Sequence, residues 1–164
     1  MYISPENFKE AFLASFVANR RHLLWDTKAR RTAQMTAYVY RTIADCFGET
    51  EIEYEYRDID AIIYNICASP EEAVVAIEHE NHVQSIGKEL ANLLAFNRQL
   101  SVVITYTGLR SEYLGRHMDV ISQFGDGKLM LVVNREDWNP DSHKRGNPIP
   151  WEFLVYRGGN LVSI

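Results

Sequence analysis

Hydrophobic positions in the first third of the chain recur at a helical period. Ser4 and Pro5 form a typical helix start, with serine as the N-cap and proline in the first turn. Apolar residues then repeat every three or four positions, which predicts a helix over 5–19. A second, longer helix is predicted over 27–47, with Asp26 as its cap. The chain should therefore begin with two helices.

In the middle of the chain the apolar period changes to two, which is typical of strands. The turn residues Ser69 and Pro70 separate two of the apolar runs. Another helical stripe follows, and after it one more apolar run. In chain order, the pattern predicts strands at 52–57, 59–67 and 73–80, a helix over 84–97 and a strand at 100–106.

The last third of the chain continues this alternation of helix and strand. A helix is predicted over 111–124 and a strand over 128–134, before a polar loop at 135–150 and two short strands. No repeat or shift in composition divides the chain. We therefore expect a single α/β domain over 1–164, with a core of about 27–107 and an appended helix and strands within 111–164.

Composition agrees with a globular domain and limits the classes of function. Of the 164 residues 46% are hydrophobic and 24% are charged, and the net charge of −5 gives no general attraction to nucleic acid. No apolar stretch is long enough to span a bilayer, and the N-terminus lacks a signal-peptide pattern. We expect a cytoplasmic protein without membrane contact, in which Cys46 and Cys67 are buried, reduced thiols.

Three carboxylates stand at the ends of two predicted strands. Asp60 opens one apolar run, and Glu78 and Glu80 close the next. Because side chains alternate across a strand, Glu78 and Glu80 should share one face while His79 points to the other. Pairing of the two strands would bring the three acids together. Such a cluster usually holds a divalent cation, so Mg²⁺ is expected here and Mn²⁺ could replace it.

The order of elements and the positions of these acids resemble the PD-(D/E)xK nuclease superfamily, which includes many restriction endonucleases. The resemblance covers roughly residues 27–107. Asp60 matches the first acid of the motif and Glu78 the second, while Glu80 replaces the usual lysine, as in a minority of members. The resemblance implies a restriction-endonuclease-like core, in which helices flank a mixed β-sheet in the order αβββαβ.

The resemblance also implies Mg²⁺-dependent hydrolysis of nucleic-acid phosphodiesters, with DNA favoured over RNA. In the family, two acids and a strand carbonyl hold the cation, which here would be Asp60, Glu78 and the carbonyl of His79. Glu80 could act as a general base or bind a second cation, and Lys88 on the next helix could supply the missing lysine. Members often cut the two strands with two subunits, so a homodimer is also implied.

Two other groups of residues carry candidate chemistry. The densest basic run could dock a nucleic-acid backbone, although such a run is also typical of a solvated helix face. His79 and His82 are three residues apart, whereas the zincin motif needs a spacing of four on a helix, so zinc is disfavoured. The basic run consists of Arg20, Arg21, Lys28, Arg30 and Arg31.

The sequence is also compatible with two other functions. A non-catalytic module could keep the nuclease scaffold and bind nucleic acid or a protein partner, which the negative charge and the missing lysine favour. A metal-dependent hydrolase could also act on another phosphate ester. Nothing in the pattern identifies residues that would read base sequence.

Overall fold

In the part of the chain that the structure describes, seven strands form one mixed sheet whose spatial order follows the chain, β1-β2-β3-β4-β5-β6-β7. The computed structural model describes residues 2–23, 28–80, 85–96, 98–106, 114–134 and 151–164. The strands are β1 Thr50–Tyr56, β2 Ile59–Asn65, β3 Val75–Glu80, β4 Leu100–Thr105, β5 Leu129–Asn134, β6 Trp151–Arg157 and β7 Asn160–Ser163. The helices are α1 Pro5–Asn19, α2 Lys28–Gln34, α3 Arg41–Cys46, α4 Ile86–Phe96 and α5 Met118–Ile121. A π-helical segment, Met35–Tyr40, joins α2 to α3, and a 3₁₀ turn, Pro70–Glu72, precedes β3.

The sheet has a parallel centre between two antiparallel flanks. Strands β3, β4 and β5 run parallel, whereas β1-β2-β3 and β5-β6-β7 pair antiparallel. Because parallel neighbours need a crossover, α4 connects β3 to β4 and α5 lies between β4 and β5. The last residues of the three parallel strands, Glu80, Thr105 and Asn134, define what we call the carboxyl edge of the sheet.

Helices cover both faces of the sheet, each over its own apolar core. On one face α1 and the helical segment 28–46 pack through Phe8, Phe12 and Tyr40 against Ile77 and Val102. On the other face α4 and α5 pack over alternate residues of the same strands. The strands of the parallel centre are buried on both sides, which explains their continuous apolar sequence. The chain is thus an α/β protein, as predicted.

The first helix forms where the sequence predicts it. The Ser4 hydroxyl accepts a hydrogen bond from the backbone N–H of Asn7 at 3.2 Å, which caps the N-terminus of Pro5–Asn19. Phe8, Phe12 and Phe16 lie one helical turn apart and are at most 2% exposed. Burial of this aromatic stripe against the sheet holds α1 in place.

The second helix differs from the prediction of one regular helix over 27–47. It runs over 28–46 and changes to π-helical geometry at Met35–Tyr40. A π turn takes in extra residues and rotates the side chains that follow it. Here Tyr40 is buried against the sheet, while Tyr38 stays on the surface. The predicted cap Asp26 lies outside the described residues.

The β1-β2 hairpin closes through two residues with positive φ, Arg57 at 50° and Asp58 at 66°. This geometry matches the right-handed twist of the strands, as in type I′ turns. Glu55 also has a positive φ, 55°, which breaks the alternation of β1. As a result Tyr54 packs on the α1 face, whereas Tyr56 packs against Phe96 of α4.

Two sequence predictions are wrong in the described part of the chain. Within 114–124 the predicted continuous helix is interrupted, because Leu114 and Gly115 are helical, the chain turns at Arg116 and His117, and the helix resumes only over Met118–Ile121. Cys46 and Cys67 are exposed rather than buried, since Cys46 ends α3 and Cys67 lies in the turn after β2.

The predicted loop at 135–150 lies outside the described residues. No described helix has the length and apolar character that crossing a membrane requires.

Replacing Phe12 tests how far the aromatic stripe of α1 stabilises the fold. Phe12 is fully buried and contacts the rings of Phe16, Trp151 and Phe153. We expect Phe12→Ala to lower the free energy of unfolding by about 3–5 kcal/mol, measured by urea denaturation. On the same helix Val17 is 74% exposed, and Val17→Ala should change stability by less than about 0.5 kcal/mol. Equal effects of the two changes would contradict this packing.

Candidate functional site

Asp60 and Glu78 meet where β2 begins and β3 ends. The antiparallel register pairs Ala61 with Ile77, so Asp60 and Glu78 are the next residues along the two strands. Asp60 Oδ2 accepts a hydrogen bond from the backbone N–H of His79 at 2.7 Å. The carboxyl groups of Asp60 and Glu78 are also hydrogen-bonded to each other. The structure therefore brings together two of the three acids that the sequence singled out.

Glu78 is buried beneath α4. Its side chain is only 2% exposed, and Asn92 Nδ2 donates a hydrogen bond to its Oε1 at 3.3 Å. A second hydrogen bond joins Glu78 to the carboxyl group of Glu89. Glu89 and Asn92 are three residues apart and so lie on one face of α4, the face directed at β3. Glu78 is thus surrounded by three polar side chains, from β2 and α4.

The electrostatics of this group follow from burial and from repulsion between like charges. Burial, together with the negative charges of Glu89 and Asp60, raises the pKa of Glu78 to about 9, and burial is the largest of these causes. Burial is also the main reason why the pKa values of Asp60 and Glu89 are raised. At neutral pH Glu78 therefore carries a proton unless a cation compensates for its charge.

Glu80 lies next to this group at the carboxyl edge. It is only partly buried and shares the α4 face of the sheet with Glu78, as the alternation predicts. Its charge raises the pKa of Asp60 as one of the smaller causes, which shows that the two acids interact. Its neighbour in the parallel register is Thr105, whose side chain is 1% exposed.

The ring of His79 lies on the opposite face, as predicted. It packs at 6.3 Å from the ring of Tyr40 and at 5.3 Å from that of Tyr106. Burial raises the pKa of Tyr40 well above its usual value, and the charges of Tyr106, Asp60 and Glu78 act in the same direction. The Tyr40 phenol is therefore neutral. This aromatic packing fixes the His79 backbone, which contacts Asp60.

Lys88 does not reach into the acidic group in this structure. It is an exposed residue in the first turn of α4, next to Glu89 in the chain. Its positive charge lowers the pKa of Glu89, so it lies close enough to interact electrostatically. The predicted role of Lys88 as a substitute for the family's lysine would need its flexible side chain to turn toward Glu80.

The helix α1 directs one part of the basic run toward the carboxyl edge. Its start is linked to the far end of β6 by an ion pair between Glu6 and Arg157. Its later residue Phe16 contacts Trp151, which pairs with Asn134 at the carboxyl edge. Arg20 and Arg21 follow α1 and so extend beyond this edge, where both are exposed.

The helical segment 28–46 directs the other part of the basic run the same way. The Tyr54 hydroxyl bonds to the carbonyl of Thr36, and the Thr50 hydroxyl bonds to that of Ala44. Strand β1 runs from Thr50 toward Tyr54, and its end lies beside the start of β2 at the carboxyl edge. The helical segment runs in the opposite direction, from Thr36 beside Tyr54 to Ala44 beside Thr50. The start of α2 therefore lies at the carboxyl edge. Arg30 is exposed there, and Lys28 and Arg31 belong to the same helical turns. His82 lies outside the described residues.

Sequence reasoning missed Glu89 and Asn92. A signal was present, because both residues flank the apolar stripe of Ile86, Leu90 and Leu93 in the helix that follows β3. The crossover from β3 to β4 places that helix over the end of β3, so polar residues beside its buried stripe must face the acids. Only Lys88 of this helix was considered from the sequence.

The oxygen atoms of this acidic group are chemically suited to bind a hard divalent cation. Asp60 and Glu78 offer carboxylate oxygens, the ligands that Mg²⁺ prefers, and a cation would relieve the repulsion that raises their pKa values. Among the described residues, however, no three or more His, Cys, Asp or Glu side chains are arranged as a metal-binding group. A site here would therefore rest on two carboxylates and backbone or solvent oxygens.

Comparison with known proteins adds no assignment to this geometry. No protein-family model matches the chain, and no curated protein matches it.

The raised pKa of Glu78 predicts how stability depends on pH in the absence of divalent cations. Because the folded pKa lies above the ordinary 4.5, the stability that protonated Glu78 contributes is complete below 4.5 and is lost as pH rises to about 9. Urea denaturation in EDTA should show this fall for the wild type.

Glu78→Gln serves as the comparison, because it keeps the shape of the side chain without its titration. We expect a flatter pH profile for this variant, and higher stability than the wild type near pH 9. Glu10→Gln, at an exposed position of α1, should behave like the wild type. Parallel profiles for wild type and Glu78→Gln would show that Glu78 titrates normally.

Proposed function

We propose that the protein is a Mg²⁺-dependent nuclease of the PD-(D/E)xK type that hydrolyses phosphodiester bonds in DNA. The main support is the pair of Asp60, which is partly buried, and Glu78, which is buried, at the carboxyl edge, where two acids stay close although burial and repulsion oppose it. The succession of a helical segment 28–46, β1, β2, β3, α4 and β4 agrees with the core that the resemblance implies.

The proposed ligands of the cation are Asp60, Glu78 and the carbonyl of His79. When bound, Mg²⁺ polarises a phosphate oxygen and lowers the pKa of a water molecule. Asp60 is held in position by the His79 N–H, and Asn92 holds one oxygen of Glu78. As a ligand, Glu78 would give up its proton, and Glu89, which is hydrogen-bonded to Glu78, could accept that proton.

Glu80 and Lys88 have different proposed roles. Glu80 is partly exposed on the same face as Glu78, so it can accept a proton from an attacking water as a general base. Lys88 lies on the surface of α4 and would act only by balancing negative charge near Glu89. Of the two residues, Glu80 is therefore the better placed to activate the attacking water.

The basic ends of α1 and α2 support nucleic acid as the substrate. Arg20, Arg21 and Arg30 are exposed beyond the carboxyl edge, although the chain as a whole has a net charge of −5. Phosphate groups that approach this edge would meet positive charge on one side and the acidic site on the other. Each subunit would cut one strand, so a homodimer is proposed for cutting a duplex.

A non-catalytic module remains the second candidate, and one observation favours it. Glu78 already has partners in Asp60, Glu89 and Asn92, and these satisfy it without a cation. Such a site would have no catalytic role and would leave the basic helix ends to bind nucleic acid. Metal titration and cleavage together distinguish this module from the nuclease.

Cleavage of supercoiled plasmid DNA tests the proposed nuclease directly. We expect nicking in Mg²⁺ or Mn²⁺, and a loss of about 100-fold or more in Asp60→Asn and Glu78→Gln, because each lost ligand costs several kcal/mol of transition-state stabilisation. Isothermal titration should show weaker Mn²⁺ binding in the same variants. Glu10→Gln is the matched control. If the wild type neither binds Mn²⁺ nor nicks DNA, the module should replace the nuclease.

Glu80→Gln and Lys88→Met distinguish the two candidates for water activation. Loss of a general base should lower the cleavage rate by about 100-fold or more, so we expect Glu80→Gln to be nearly inactive while still binding Mn²⁺. Lys88→Met should retain most activity, because its side chain is exposed. The opposite result would assign the role of the missing lysine to Lys88.

A further inference from the structure

An exposed aromatic stack lies where α1 meets the π-helical segment. The rings of His22 and Tyr38 are 5.1 Å apart between centroids, with 21° between their planes. His22 is exposed and Tyr38 is 38% exposed. Neither ring contributes to the two apolar cores of the sheet. Stacked aromatic rings are therefore presented to solvent.

Asn19 links the two backbone segments that carry the stacked rings. Asn19 Nδ2 donates hydrogen bonds to the carbonyl of Ser15 at 2.9 Å and to the hydroxyl of Thr42 at 2.8 Å. The same hydroxyl bonds to the carbonyl of Tyr38 at 2.8 Å. The backbone N–H of His22 donates to the carbonyl of Asn19, which completes the turn. The backbone positions of both ring-bearing residues are thus set before any ligand binds, which reduces the entropy lost on binding.

Positive charge adjoins the stack. Arg20 and Arg21 precede His22 directly, are exposed, and make no ion pair with any acid in the described part of the chain. Arg41, three residues after Tyr38, instead pairs with Asp45 at 3.4 Å. In a chain with net charge −5, two unpaired arginines beside an exposed aromatic stack are suited to a polyanion that also carries planar groups.

We propose that the His22–Tyr38 stack is a base-stacking site for single-stranded nucleic acid, and that Arg20 and Arg21 bind the neighbouring phosphates. A base stacks on a ring face regardless of its identity, and the arginines neutralise the backbone, so the site is expected to bind without sequence preference. This inference rests on the proposed function, because it concerns the same substrate class. The inference adds that the nucleic acid binds in single-stranded form, at the end of α1 that extends past the carboxyl edge.

Two labelled probes test this site by fluorescence anisotropy in EDTA, where no cleavage occurs. One is a short oligothymidylate and the other is an abasic strand of the same length and charge. The wild type should bind the oligothymidylate about tenfold more tightly than the abasic strand, which is the contribution expected from one stacked base. Equal binding of the two probes, or no binding of either, would overturn the proposal.

Variants separate stacking from charge. Tyr38→Ala should abolish the difference between the probes, whereas Tyr38→Phe should keep it. Arg20→Ala and Arg21→Ala should weaken the binding of both probes alike and reduce the salt dependence. Tyr2→Ala removes a tyrosine that is 72% exposed elsewhere and is the matched control. An equal effect of Tyr2→Ala and Tyr38→Ala would overturn the assignment. Displacement of the oligothymidylate by polyglutamate at equal charge would also overturn it, because that result would indicate an acidic protein partner.

The stacking site and the nuclease can fail independently. If Tyr38→Ala abolishes the difference between the probes while no preparation nicks DNA, the stacking site stands and the nuclease fails. If the wild type nicks plasmid but binds both probes equally, the nuclease stands and the stacking site fails. Denaturation of Tyr38→Ala, measured in parallel, ensures that the variant is compared in its folded state.

Discussion

Burial of the Glu78 carboxyl group at the end of β3 is the constraint on which the rest of the site depends. The strand is buried on both faces, and α4 must cover it because β3 and β4 are parallel. Glu78 lies within this covered part of the strand and is only 2% exposed. Asp60, Glu89 and Asn92 therefore become its partners, and the site forms from the sheet topology rather than from a loop.

This arrangement costs stability and gives the site its chemistry. Three acids in one partly buried group repel one another, and burial disfavours their charged forms. Protonation relieves this repulsion at low pH, and a divalent cation would relieve it at higher pH. The protonated form and the cation-bound form would use the same carboxyl oxygens, so proton binding and cation binding should compete. Replacing buried charged groups of this kind by apolar side chains of the same volume is often neutral or stabilising.

The two faces of the sheet carry different charges at the carboxyl edge. Glu78 and Glu80 lie on the α4 face, whereas the basic helix ends and the His22–Tyr38 stack belong to the α1 face. They come together at the carboxyl edge because α1 and the segment 28–46 both place their basic ends there. Exposed positive charge and a group of mutually repelling acids therefore coexist in a chain with a net charge of −5.

The sequence by itself determined the α/β class, the first helix and the alternation that separates His79 from Glu78 and Glu80, because capping and periodicity are local properties. It predicted the contact between Asp60 and Glu78 only through the assumed pairing of two strands. Tertiary structure decided the rest. The partners Glu89 and Asn92 depend on how α4 crosses β3, and the surface position of Tyr38 depends on a π turn that no local pattern indicated. The raised pKa of Glu78 arises from burial and neighbouring charges, which exist only once the chain is folded.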